Sequence, residues 1–100
     1  YHALARKYLP DGQGGMLSFG VKGNVKDAAK FMEALRLVTQ ETHVADTRSC
    51  VLHPASTTHR QLSKEELAAA GVPENLIRLS VGIENPDDII KDLKQALQKI

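Results

Sequence analysis

One guanidinium stands out for where it sits. Arg78 lies in Leu76–Glu84, read Leu-Ile-Arg-Leu-Ser-Val-Gly-Ile-Glu. The run alternates with period two, as a strand with unlike faces does. Ile77, Leu79, Val81 and Ile83 make a core face, and Leu76, Arg78, Ser80 and Gly82 make the other. A guanidinium fixed on a strand grips a carboxylate or phosphate with two parallel hydrogen bonds. Gly82 leaves a gap where something can approach. The competing reading is an arginine that faces water, as most do.

The other reactive residue types carry weaker patterns. His43, His53 and His59 are spaced by ten and six residues, with Cys50 among them. That spacing matches no compact metal-ligand pattern, so structural or site-lining histidines are expected. Cys50 lies in an apolar strand segment, where a thiol is inert packing rather than a nucleophile for His53. The glycines at 12–15 and 20–23 do not follow a strand and open a helix, so no nucleotide loop is expected. Glu84, Asp87 and Asp88 bracket a helix start, and capping accounts for them.

The elements that must position Arg78 fit in one domain, since the chain has 100 residues. A net charge of +1 without a basic cluster argues against a nucleic-acid binder. Two Tyr and two Phe leave little for base stacking. A lone cysteine excludes an internal disulfide and suits the reducing cytoplasm. No apolar run has membrane-spanning length, and no signal peptide is expected. The chain starts at Tyr1 rather than Met, so a fragment or a processed product is expected.

In chain order, Tyr1–Leu9 has a helical pattern, with Ala3, Leu4 and Tyr8 as its apolar side, and the turn residues at 10–15 end it. Met16–Val21 alternates as a strand. Asn24 caps a helix over Val25–Val38, with Ala28, Phe31, Met32, Leu35 and Val38 inward. Thr39–Asp46 fits either a short strand or a loop, and Ser49–Leu52 is a strand that Pro54 stops. Ser63 and Glu66 form a capping box for a helix over Lys64–Ala70, with Gly71 at its C′ position. Asn85 and Pro86 open the last helix, with Ile89, Ile90, Leu93, Leu97 and Ile100 as its buried stripe. The order β-α-(β)-β-α-β-α predicts an α+β fold: a small sheet with helices packed on one face. The face carrying Arg78 must then meet something else.

Three stretches, in this order along the chain, resemble motifs of the Cys/Met-metabolism family of pyridoxal-phosphate enzymes. Gly14-Gly15-Met16-Leu17-Ser18-Phe19 is similar to the family's first strand after its inter-domain helix. His53-Pro54-Ala55-Ser56-Thr57-Thr58-His59 resembles an internal motif, and Leu76–Glu84 with Asp87-Asp88-Ile89-Ile90 resembles the closing strand and helix. Within the family, His43–Ser49 and Thr57–Leu62 look most like the sulfhydrylase branch.

The resemblance implies that residues 1–100 are the single C-terminal, small domain of a fold-type-I enzyme whose large cofactor-binding domain is absent from this chain. The implied reaction replaces the acetate of O-acetyl-L-homoserine with sulfide to give L-homocysteine, a step of methionine biosynthesis. Methionine γ-lyase and cystathionine γ-synthase chemistry are the alternatives within the family. A non-catalytic stand-alone interaction domain is the alternative outside it. Pyridoxal phosphate is the implied cofactor, held by the large domain, and a homo-oligomer, a tetramer, is the implied assembly. Arg78 falls on the family's substrate-carboxylate arginine. His43 falls beside that carboxylate, where Ser or Asn is frequent, and Ala45 stands where Gly is common. No lysine has the family's Ser-x-Thr-Lys context. The segment by itself is therefore expected to hold no catalytic residue, no cofactor contact and no metal, and to be inactive alone.

Overall fold

The computed structural model describes all of residues 1–100. Helix α1 spans His2–Tyr8, followed by strand β1 over Met16–Gly20 and helix α2 over Val25–Ala34. Two short strands, β2 at Thr39–Gln40 and β3 at Cys50–Leu52, flank a long loop. A 3₁₀ turn at Pro54–Ser56 leads to helix α3 over Lys64–Ala69, strand β4 over Leu76–Ser80 and helix α4 over Pro86–Leu97. The strands form one mixed sheet in the order β1-β4-β3-β2. β4 is antiparallel to both its neighbours, and β2 runs parallel to β3.

One face of this sheet is closed by α2 and α4. Val51, Ile77 and Leu79 point into a buried cluster with Ala28, Phe31 and Met32 of α2 and Ile89 and Ala96 of α4. Phe19 and Phe31 meet edge to face at 5.8 Å. The caps form as their sequences dictate. Asn24 accepts from Lys26 and Asp27 while Asp27 reaches back to the Asn24 N–H. Ser63 and Glu66 do the same for α3, and Asn85 accepts from Asp87 ahead of Pro86. Gly71 takes the left-handed φ of +73° just past α3, where a side chain would be strained.

Four expectations need correction. α2 ends at Ala34 rather than Val38, because Leu35 turns extended and the N–H groups of Arg36, Leu37 and Val38 all donate to Asp92. A helix continuing to Val38 would have used those donors internally. The stripe of α4 is Ile89, Asp92, Leu93 and Ala96, while Ile90, Leu97 and Ile100 are exposed. Asp92 holds the inward position because it has three backbone partners there. β4 stops at Ser80: Val81 is exposed and Ile83 is 82% exposed, so neither belongs to the core. Beyond Ser80 the backbone leaves its β3 partner and bonds to loops instead, Val81 N–H to the Gly15 carbonyl and Ile83 N–H to the Thr47 carbonyl. Finally, β1 stops one residue short, and the buried Val21 donates to the Asn75 carbonyl from outside the sheet. Helix α1 buries none of its residues, and Leu4, Tyr8 and Leu9 are exposed.

Candidate functional site

Arg78 stands in the middle of β4 with Ser18 of β1 and Leu52 of β3 as its register partners. In-register side chains share a face. Arg78 is thus on the sheet face away from α2 and α4, with Ser80 and Cys50 one step along. It is half-buried, and its Nη2 donates to the Thr42 carbonyl at 3.2 Å. No carboxylate lies within ion-pair distance of it; the ion pairs of the chain are His43–Asp46, Arg48–Asp46 and Lys64–Glu74. A guanidinium has five N–H donors in a rigid fork, so most of its capacity is free for an incoming anion.

Thr42 belongs to the loop between β2 and β3, which crosses this face. Three polar attachments fix it. The Ala45 N–H donates to Ser80 Oγ at 3.2 Å. Asp46 accepts from the Arg48 N–H at 2.9 Å and faces the His43 ring at 3.1 Å and Arg48 Nε at 3.6 Å. Ser49 donates its backbone N–H and its Oγ–H to the two oxygens of Glu84, each at 2.8 Å, and accepts from the Gly82 N–H at 2.9 Å. The Arg48 N–H, with the His43 ring beside it, holds the Asp46 carboxyl down at about 2. The Ser49 N–H holds that of Glu84 below its ordinary range. Both are therefore ionised at neutral pH and spent within the loop.

The gap at Gly82 is filled from within the chain. A Cβ there would collide with the Thr47 carbonyl oxygen and sit 2.6 Å from the Arg48 carbonyl carbon. Glu84 likewise does not cap α4 as the sequence suggested; it holds Ser49, while Asp87 and Asp88 occupy the first turn. Ala45 has a left-handed φ of 58°, a conformation that suits the glycine common at this position in the family the sequence resembles.

The loop brings His43 next to the carbonyl that holds Arg78, with the ring exposed. His53 and His59 go elsewhere. His53 is buried between Ser56 Oγ at 2.7 Å and the Glu74 carbonyl at 2.5 Å, and His59 pairs with Thr58. The histidines, cysteine and carboxylates form no cluster able to hold a metal. Cys50 is buried, its Sγ–H directed at the Arg48 carbonyl at 3.3 Å, and no base is beside it. A cavity of about 230 Å³ opens at the β2 edge among Gln40, Glu41, Thr42, Leu52, His53 and Thr57; it touches the Arg78 site only through Thr42 and Leu52. Thr42, Asp46 and the Ser49–Glu84 pair were not picked out from the sequence. Asp46 carried a local signal, an Asx turn onto the N–H two residues on. A backbone carbonyl at 42 and a pair 35 residues apart carry none.

The domain thus packs one sheet face with its own helices and leaves an arginine without an ion-pair partner under a polar loop on the other. The chain belongs to the Cys/Met metabolism PLP-dependent enzyme family, whose sequence pattern matches residues 1–98. It is 51% identical over 98 residues to Sulfhydrylase FUB7 of Fusarium oxysporum f. sp. lycopersici, covering 98% of this chain and 23% of that protein. It is 50% identical over 97 residues to the homocysteine synthase of Schizosaccharomyces pombe, covering 97% of this chain and again 23% of that protein. An L-methionine gamma-lyase of Fusobacterium nucleatum subsp. polymorphum is 43% identical over 99 residues, which is 99% of this chain and 25% of the lyase. Among solved structures, a putative O-acetylhomoserine (thiol)-lyase from Campylobacter jejuni, carrying a pyridoxyl-lysine phosphate, superposes with a TM-score of 0.85. It is 44% identical over 98% of this chain and 23% of its own. The chain thus spans about a quarter of the length of the relatives it matches. No helix is long and apolar enough to cross a membrane.

Proposed function

We propose that this chain is the substrate-carboxylate-binding domain of an O-acetyl-L-homoserine sulfhydrylase, which replaces acetate with sulfide and yields L-homocysteine. The observation that carries the reading is the Arg78 guanidinium, unpaired with any carboxylate and steadied by one backbone carbonyl on the helix-free sheet face. Holding the α-carboxylate fixes the direction of the substrate's Cα–H bond, and orientation of that kind contributes directly to rate. His43 is a second donor at the same carboxylate. Its Nδ1 carries a proton toward Asp46, since an ionised carboxylate only accepts, and Nε2 donates to a substrate oxygen when the ring is protonated.

The family is pyridoxal-phosphate dependent. When bound, that group serves as the electron sink for bond breaking at the substrate's α and β carbons. The residues of this chain do not fit as its holder: every lysine is exposed and none stands on a strand of the Arg78 face. We assign the cofactor to the part of the protein corresponding to the unmatched length of the relatives, and recognition of the carboxylate to this chain. The full assembly is a homo-oligomer, a tetramer, in the reducing cytoplasm, where Cys50 stays a thiol. The second reading is methionine γ-lyase chemistry, which the lyase relative supports. It differs in product, releasing an α-keto acid instead of transferring the carbon chain to sulfide.

Substitution of Arg78 in the full-length protein tests the reading. Arg78→Ala should keep the bound cofactor's visible absorbance and lower kcat/KM for O-acetyl-L-homoserine by about a hundredfold or more, on the order of 3 kcal/mol. Arg78→Lys should recover only part, because an ammonium cannot reproduce the planar fork. Near-normal efficiency in the Ala variant would remove the carboxylate assignment.

A further inference from the structure

The geometry points to Glu84 and Ser49 as positioning residues of the substrate site: their clasp sets where the 42–49 loop delivers Thr42 and His43 to Arg78. The inference rests on Arg78 being the carboxylate-binding residue.

Apolar packing does not hold this loop. Thr42, His43, Val44 and Ala45 are four consecutive exposed residues, with Val44 59% exposed. Ala45 is in a left-handed conformation that an alanine does not favour. A segment of this kind takes its position from its polar attachments. Ser49 is the strongest of them. It is fully buried and commits its N–H and its hydroxyl to this joint: two donors onto one carboxylate and one hydroxyl lone pair for the Gly82 N–H. The Thr47 carbonyl accepts from the Ile83 N–H beside it at 2.9 Å, and Gly82 has no side chain to hold the two backbones apart. Glu84 itself reaches neither Arg78 nor the loop tip through a hydrogen bond; its contacts are with Ser49. Its effect on the guanidinium therefore runs through the loop, whose Thr42 carbonyl makes the single hydrogen bond that the guanidinium forms within the chain. Loosening the clasp lets that carbonyl drift. The fork then loses its fixed aim, while the strand that carries it is untouched.

Two variants of the full-length holoenzyme decide the matter, Glu84→Gln and the milder Ser49→Ala, which leaves the Ser49 N–H on Glu84. The binding probe is L-norvaline, which has the α-carboxylate and no leaving group, compared with its α-amide, L-norvalinamide. Glu84→Gln should raise KM for O-acetyl-L-homoserine about tenfold with kcat changed less than about twofold, and should shrink the norvaline-over-norvalinamide preference by a similar factor. In an Arg78→Ala background, where the fork is gone, it should add nothing to either number. A preference unchanged in both variants, or an equal further loss on top of Arg78→Ala, overturns the positioning role and leaves the clasp as fold stability alone. If Glu84→Gln does not fold, the preference measured in Ser49→Ala decides in the same way. If Arg78→Ala by itself leaves the preference intact, it is the carboxylate reading that has failed, and the two failures are told apart.

Discussion

The two faces of the one sheet are held by different physics. On the helix face, Val51, Ile77 and Leu79 meet α2 and α4 in an apolar cluster that closes on itself. The strength of that layer comes from area removed from water, roughly 25 cal/mol per Å². On the other face the cover is a loop, and what holds it is a short series of charge-assisted hydrogen bonds accepted by Asp46 and Glu84. Such bonds are directional, so they fix position where apolar contact mainly supplies cohesion. A site that must present one guanidinium at a defined place benefits from the second kind of joint. The first kind keeps the sheet standing beneath it.

One residue crosses that division. Asp92 sits on the helix face, yet it works as the loop carboxylates do, accepting from Arg36, Leu37 and Val38 at 2.8–2.9 Å, with Gln95 beside it. Burial pushes its carboxyl up, but the N–H groups of Val38, Arg36 and Leu37 outweigh that and leave it below the ordinary value of 3.8. Asp92→Ala should lower stability by about 3 kcal/mol, because three donors lose a charged acceptor and one of them is buried. Urea unfolding measures this. A loss below about 1 kcal/mol would mean that apolar packing alone makes the joint. The pH dependence has a definite sign. A carboxyl lowered by folding stabilises above its unfolded pKa, and that contribution is lost as pH falls through its lower folded value. Stability of the wild type should therefore drop as pH falls below about 4. The Asp92→Asn variant, which has no carboxyl there, should drop less steeply.

The comparison also explains what the sequence revealed. Apolar periodicity reports burial, so α2, α4, β4 and the layer they make were readable, as were caps built from neighbouring residues such as Asn24, Ser63 and Asn85. Arg78 was readable as a cation on the non-core face of a strand. Joints between distant polar groups leave no periodic trace. Asp92 carries no such signal, and the apolar pattern puts Ile90 and Leu97 in the stripe although both are exposed. For the same reason the end of α2 was set four residues late, and Glu84 was given a cap to make instead of Ser49 to hold. Val81 and Ile83 continue the alternation in letters, but the backbone has already turned to pair with the Gly15 and Thr47 carbonyls.

Cys50 lies beneath the loop on the Arg78 face, so it tests whether that face has any need of a thiol. It is 1% exposed, and its only polar contacts are with the Arg48 carbonyl and Thr39 Oγ1. Cys50→Ala should cost about 1 kcal/mol of stability, from a small void and one weak donor lost, and leave turnover in the full-length protein near that of wild type. Loss of activity with a native unfolding curve would mean that the thiol takes part in the chemistry.

The smallest expected effect lies at the loop tip and has the opposite sign. Ala45 has φ 58°, where its Cβ crowds the following carbonyl at a cost of about 1–2 kcal/mol. Ala45→Gly removes that clash and keeps the backbone N–H that donates to Ser80 Oγ. Against this, glycine has more unfolded conformations to give up, a loss of roughly 0.5–1 kcal/mol. The balance should be a gain of about 0.5 kcal/mol. That gain should be read as a higher urea midpoint with unchanged slope. Substrate KM should hold or fall slightly, since the polar pins that aim Thr42 at Arg78 are intact and the strain they oppose is gone. A destabilised Ala45→Gly would show that chain entropy, rather than left-handed strain, dominates this loop.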